Sequence, residues 1–114
     1  MHFIETVVFT KRIVGLKLEG PLRRLQAELA ANPAAGDLEP GTGGLRKVRV
    51  GDPGRHTGKR GGARVHYLYL ARHDVIYLLF VYGKNEPAKL TEDEKKQLRT
   101  AAARIKAEWD ARQE

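Results

Sequence analysis

The 114-residue sequence contains no cysteine, one methionine and one tryptophan. Without cysteine there is no disulfide framework and no thiolate zinc site, so ordinary packing must hold the chain together. A chain of this length can bury one core unaided, and we read residues 1–114 as a single domain. The four histidines (His2, His56, His66, His73) never stand at metal-ligand spacing from one another, so neither a metal nor a cofactor is expected. No charged-then-apolar opening segment of the signal-peptide kind is present. The longest apolar run, "VIYLLFVY" between Asp74 and Lys84, has the length of a buried strand and falls far short of a membrane span. These absences predict a cytoplasmic protein with no membrane partner.

Acids are scarce in one place only. From Arg46 to Arg64 stand seven bases (Arg46, Lys47, Arg49, Arg55, Lys59, Arg60, Arg64) and one acid, Asp52. That span carries +6 of the net +7, while the rest of the chain holds 14 bases against 13 acids. Charge needed for solubility alone is served equally well by dispersion. Charge gathered into one span points to an anionic partner, nucleic acid foremost.

Pattern along the chain predicts the elements. "HFIETVVF" mixes β-branched and aromatic residues and reads as an opening strand. Thr10 is placed to cap a short helix over "KRIVGLKL". Pro21 suits the first position of a second helix, in which Leu22, Leu25 and Leu29 share a face, and Asn32-Pro33 ends it. After a Gly/Pro-rich connection come three strands, "LRKVRV", "ARVHYLYLAR" and "VIYLLFVYGK", the last two joined by a tight turn at His73-Asp74. Thr91 and Glu94 form a capping box opening a last helix with a Leu98, Ala102, Ile105, Trp109 stripe. The order β-α-α-β-β-β-α predicts an α+β domain, a small antiparallel sheet of about four strands with helices packed on it.

Strand alternation sorts the bases. Lys47 and Arg49 share one face of their strand, and Arg46 takes the other with Val48 and Val50. Arg64 shares a face with His66, and Tyr82 and Lys84 share a parity with Phe80. Lys47, Arg49, Arg64, Tyr82 and Lys84 are thus expected on one sheet face, with the glycine-rich loop at its rim. That cluster suits RNA cleavage. RNA carries its own nucleophile, the 2′-OH, beside each phosphodiester. A protein can cut it by positioning that hydroxyl, stabilising charge at phosphorus and protonating the leaving oxygen. Arginine's planar fork grips phosphate oxygens, and a lysine among other cations loses its proton readily enough to serve in proton transfer. Plainer readings stand beside these: Tyr82 as a core-edge tyrosine, His66 as a packed residue and not a general base, and Lys47 and Arg49 as backbone grips only. The glycines are no phosphate loop, because Gly58-Lys59 is followed by Arg60.

Taken together, "GDLEPGTGGLRKVRV", "GKRGGARVHYLYL", "IYLLFVYGKNE" and "LTEDEKKQL" resemble the RelE/HigB-like toxins of bacterial toxin–antitoxin pairs, the HigB-type branch above all. The resemblance spans almost the whole chain in order. It implies a RelE-like fold and a metal-independent, ribosome-dependent endonuclease that cuts mRNA in the ribosomal A site through 2′-OH attack and so inhibits translation. Carried over residue by residue, Lys47 and Arg49 match the family's basic second-strand pair, and Arg64 matches the third-strand arginine, the transition-state stabiliser. Lys84 matches the basic position ending the fourth strand, and Tyr82 precedes it by two residues. Arg46, Arg55, Lys59, Arg60 and His66 are the expected contacts to RNA and the ribosome. Some relatives carry an arginine after that lysine and a tyrosine near the C-terminus; here stand Asn85 and the capped helix. The resemblance further implies a cognate helix-turn-helix antitoxin, with operator DNA bound only through the toxin–antitoxin complex. The competing reading is a non-catalytic module that grips RNA or the ribosome with the same patch, and behind it an inactive relic that binds only antitoxin. A DNA-reading transcription factor is disfavoured, since the bases fall on strands and a loop and not on a recognition helix.

Overall fold

The structure is a computed structural model and describes residues 1–51, 62–83, 86 and 89–112. Its elements are β1 (His2–Glu5), α1 (Val7–Leu16), α2 (Glu19–Ala31), β2 (Asp37–Leu38), β3 (Arg46–Val50), β4 (Ala63–Leu70), a 3-10 turn (Ala71–His73), β5 (Val75–Tyr82) and α3 (Glu92–Ala111). One five-stranded sheet runs in the order β1-β5-β4-β3-β2. Its neighbours are antiparallel except β1, which lies parallel to β5. The α+β class therefore stands, with a mixed sheet and one short extra strand, β2, inside the Gly/Pro-rich connection.

The opening segment departs from expectation. The strand stops at Glu5, and the helix begins at Val7, capped by Thr6 and not by Thr10. The Thr6 hydroxyl accepts from the Phe9 N–H at 3.1 Å and donates to the Leu79 carbonyl at 3.0 Å, so one side chain starts the helix and ties it to the sheet. Local β propensity in "TVVF" loses to burial: as a helix, the segment puts Phe9 wholly inside while Val7 and Val8 face water. Thr10 instead donates to Glu5. α2 likewise begins two residues ahead of Pro21, which sits in its first turn.

Two apolar clusters sandwich the sheet. Phe9 and Ile13 of α1 and Leu22, Leu25 and Leu29 of α2 pack on Val50, Ala63, Val65, Tyr67, Ile76, Leu78 and Val81. The other face meets α3, whose Ala102 and Ile105 pack on Leu45, Leu68, Leu70, Val75 and Leu79, with Leu98 and Trp109 alongside. The expected capping box opens α3: the Thr91 hydroxyl accepts from Glu94 N–H, and the Glu94 carboxylate accepts from Thr91 N–H. Trp109 Nε1 donates to the Tyr77 hydroxyl at 2.8 Å, fixing the far end. Between β2 and β3, Gly41, Gly43 and Gly44 adopt positive φ, and α3 clamps that turn: Arg99 donates to Gly41 O and Lys106 to Gly43 O. Among the described residues no helix is long and apolar enough to cross a membrane.

β5 holds the feature that decides what faces where. His66 pairs with Phe80, but Tyr67 pairs with Leu78, so Leu79 is an extra residue, a bulge. Before it, Val75 and Tyr77 point to α3, and Leu79 itself does too; after it, Tyr82 keeps that face while Val81 packs with α1 and α2. The bulge lets the strand feed Leu79 to the α3 core and still deliver the Phe80 and Tyr82 rings to the basic side chains.

Candidate functional site

α3 covers only part of its sheet face. Beyond its first turn the same face carries two cross-strand rows. Arg49 pairs with Arg64, which pairs with Tyr82; Lys47 pairs with His66, which pairs with Phe80. The alternate residues Val48, Val50, Ala63, Val65 and Val81 belong to the opposite core, so the rows follow from a period of two anchored by valines. The register brings Lys47, Arg49, Arg64, His66 and Tyr82 together. Arg46 is not brought there: it lies on the other face and donates to the carbonyls of Gly36 (2.7 Å) and Ala34 (3.3 Å). Tyr67 secures the same connection, donating to Pro33 O and accepting from Gly36 N–H. Lys84, Arg55, Lys59 and Arg60 lie outside the described residues.

Aromatic rings form the floor. Tyr82 stacks on His66, centroids 5.7 Å apart at 28°, and the Arg64 guanidinium carbon lies 5.8 Å from the centre of the Tyr82 ring. Phe80 lies 6.2 Å from Tyr82 and carries Arg12 over its ring at 4.9 Å. His66 is 0 % exposed, so as placed it offers no atom to RNA; its part is to support Tyr82. Burial pushes the His66 imidazole pKa down and outweighs the opposing pull of Glu39, leaving the ring neutral at neutral pH. Burial also raises the Tyr82 phenol, against the nearby charge of Arg64, so its hydroxyl keeps its proton.

A carboxylate sits among these cations that the sequence reading passed over. Glu39, just after β2, places Oε1 3.3 Å from Lys47 Nζ and 3.6 Å from His66 Nε2, with its side chain 16 % exposed. The second distance is too long for a good hydrogen bond, so Glu39 acts on His66 as a charge. Its position is set by backbone: Glu39 N–H donates to Leu45 O, and the buried Thr42 hydroxyl donates to Glu39 O while accepting from Leu45 N–H. Nothing periodic marks this acid. Its only signal is a carboxylate two positions before a glycine-rich turn that folds back onto the basic strand.

Glu86 plays a different part. It takes two hydrogen bonds from Arg12 and one from Gly83 N–H, pinning the turn after β5 to α1. Burial acts to raise its pKa, but the Gly83 N–H and the Arg12 contacts prevail and hold the carboxyl below its usual value. A depressed folded-state pKa contributes stability above the unfolded value, and that stability is lost as pH falls through the folded one. We expect wild type to unfold at higher denaturant than Glu86→Gln at neutral pH, and the two to converge as pH falls through the depressed folded-state pKa of Glu86. A gap that persisted unchanged into acid would contradict this account of the tie.

The arrangement is thus two arginines and a lysine on one row pair, a protonated phenol at the end of the arginine row, and one carboxylate at the lysine. It can grip a phosphodiester and move a proton beside it. Among the described residues no group of three or more His, Asp and Glu side chains is gathered as a metal ion would require. A protein-family model described as the RelE toxin of the RelE/RelB toxin–antitoxin system matches residues 25–113, a span that includes β3, β4, β5 and α3, and the chain belongs to that family of toxins.

Proposed function

We propose that this toxin is a ribosome-dependent, metal-independent endoribonuclease of the HigB-type branch, acting in the cytoplasm on mRNA in the ribosomal A site. The observation that carries the reading is the Arg49–Arg64–Tyr82 row lying beside the Lys47–Glu39 pair. In the reaction, a ribose 2′-oxygen attacks the adjacent phosphorus, the bond to the 5′-oxygen breaks, and a 2′,3′-cyclic phosphate forms. Arg64 and Arg49 neutralise the charge on the non-bridging oxygens, where preorganised cations act most strongly. Glu39 accepts the 2′-OH proton and Lys47 protonates the departing 5′-oxygen. Because the two groups sit 3.3 Å apart, the proton can return and restore both. Tyr82 remains protonated and serves as the shelf on which Arg64 lies. Lys84 follows Tyr82 in sequence and is assigned to the same phosphate, and Arg55, Lys59 and Arg60 to ribosomal RNA.

The partners of this reading are mRNA on the ribosome, ribosomal RNA, and a cognate antitoxin of the helix-turn-helix kind, through which alone the toxin meets operator DNA. The test is a reconstituted translation system with a defined message, mapping new 5′ ends by primer extension. Cuts inside codons that need translating ribosomes, and that survive chelation of free metal in stalled complexes, support the reading. Intact mRNA with the protein nevertheless bound to ribosomes overturns it in favour of a binding module.

A further inference from the structure

Beside the arginine row, β5 and the start of α3 enclose a cleft of about 100 Å³ whose walls include Phe80, Tyr82, Leu90 and Glu94. The reaction above leaves it without a role. Phe80 is half-buried there, one ring face under Arg12 and the ring tilted 42° from Tyr82. Of the two carboxylates in this wall, Glu86 is engaged by Arg12 and Gly83. Glu94 is only half engaged. Its Oε1 accepts from Thr91 N–H at 2.8 Å, and Oε2 accepts nothing among the described residues. Glu94 lines the same cleft as Tyr82, which places it on the site side of the helix.

We infer that this cleft receives the edge of one codon base, and that Glu94 Oε2 accepts a hydrogen bond from that base's exocyclic amino group, favouring adenine, cytosine or guanine over uracil. The inference rests on the reading that the adjoining rows hold mRNA. Unpaired RNA bases are recognised on their Watson–Crick edges and against aromatic rings, and both elements are present here. An ionised carboxylate only accepts. Adenine and cytosine present an amino group to it, and guanine presents N1–H and an amino group. Uracil flanks its one N–H with two carbonyl oxygens, which the carboxylate repels. Tyr82 is shared between the cleft wall and the Arg64 guanidinium, so the base read is one bordering the scissile phosphate.

Glu94→Gln separates this role from helix capping. Glutamine still accepts from Thr91 N–H and keeps the capping box, while turning an amide NH₂ into the cleft. Ribosomes would be programmed with A-site codons differing by one base, each in an all-ribose form and in a form with 2′-deoxyribose at the attacking position. Cutting of the first and equilibrium binding to the second would be measured for wild type and Glu94→Gln. Wild type should prefer amino-bearing bases over uracil at one codon position by about tenfold, and Glu94→Gln should shift that ratio toward uracil by a similar factor. Glu94→Asp, which keeps the charge but draws the carboxylate back, should lose the preference without inverting it. A ratio identical in wild type and both variants at every codon position overturns the inference, even if all three proteins cut. Discrimination in binding without any cutting upholds it and overturns the nuclease reading. Failure of wild type to bind any programmed ribosome overturns both.

Discussion

Arg64→Ala should lower the rate of codon cleavage by about a hundred- to a thousandfold, the usual effect of removing one preorganised transition-state donor. Arg64 is the middle member of its row, between Arg49 on β3 and Tyr82 on β5, and its guanidinium lies against the Tyr82 ring. Its neighbours in sequence, Ala63 and Val65, are buried in the opposite core, so the backbone under it is fixed by packing that alanine leaves alone. Stability should therefore change little, because the side chain is only partly buried and supports no part of that core. Ribosome binding, measured by co-sedimentation, should survive, since the remaining bases of the Arg46–Arg64 stretch still supply the general electrostatic attraction. Arg64→Lys should recover part of the rate and not all of it, because a point charge cannot reproduce the two-pronged grip. If Arg64→Ala cut at close to the wild-type rate, the assignment of the row to catalysis would be wrong. If binding and cutting fell together, Arg64 would be a grip on RNA and nothing more.

Gly62→Ala should be the most damaging small substitution for the fold. A Cβ at this position would lie 1.5 Å from the Val50 carbonyl oxygen and 2.5 Å from its carbon. Both atoms are backbone of β3, which cannot swing aside as the end of a lysine can. The Val50–Ala63 pair must open, and the next rung along is Arg49–Arg64. Overpacking of this kind costs about 1–3 kcal/mol and sometimes more, a large share of the roughly 5–15 kcal/mol that holds a domain folded. Denaturant unfolding measures it, with Gly20→Ala as the control. Gly20 lies in α2 with nothing within 4 Å of an added Cβ, so alanine there should be neutral or stabilising by up to about 1 kcal/mol. An unfolding midpoint for Gly62→Ala equal to wild type would show that β3 and β4 separate more freely at this end than their packing implies.

These two sites illustrate what was legible beforehand. The alternation of bases and valines in "LRKVRV" and "ARVHYLYL" carries the two rows almost unaided, because each strand has one face that must be buried and a slip by one residue would expose it. The capping box of α3 was equally plain, since Thr91 and Glu94 act within one turn. The bulge at Leu79 was hidden for a physical reason. "VIYLLFVY" is apolar on both faces because helices cover one side and α3 most of the other, so no alternation remains to show the extra residue. Thr6 was missed as a cap because its second hydrogen bond, to Leu79, is a tertiary one. Glu39 was missed because its contact with Lys47 depends on three positive-φ glycines folding the chain back, and glycine pattern alone says that a turn exists, not where it points.

The parallel pairing of β1 with β5 bears on how the chain comes into being. β1 has its strand partner in residues 75–82, and Thr6 makes its second bond there too. Until those residues have been synthesised, β1 has no strand to pair with, and contacts of such long sequence separation form late. The same strand brings Tyr82 to Arg64. A nascent chain that ends before residue 75 therefore lacks both the strand that joins β1 to the rest of the sheet and the aromatic shelf of the site, so the opening strand and the Arg64 row are completed by the same stretch of synthesis.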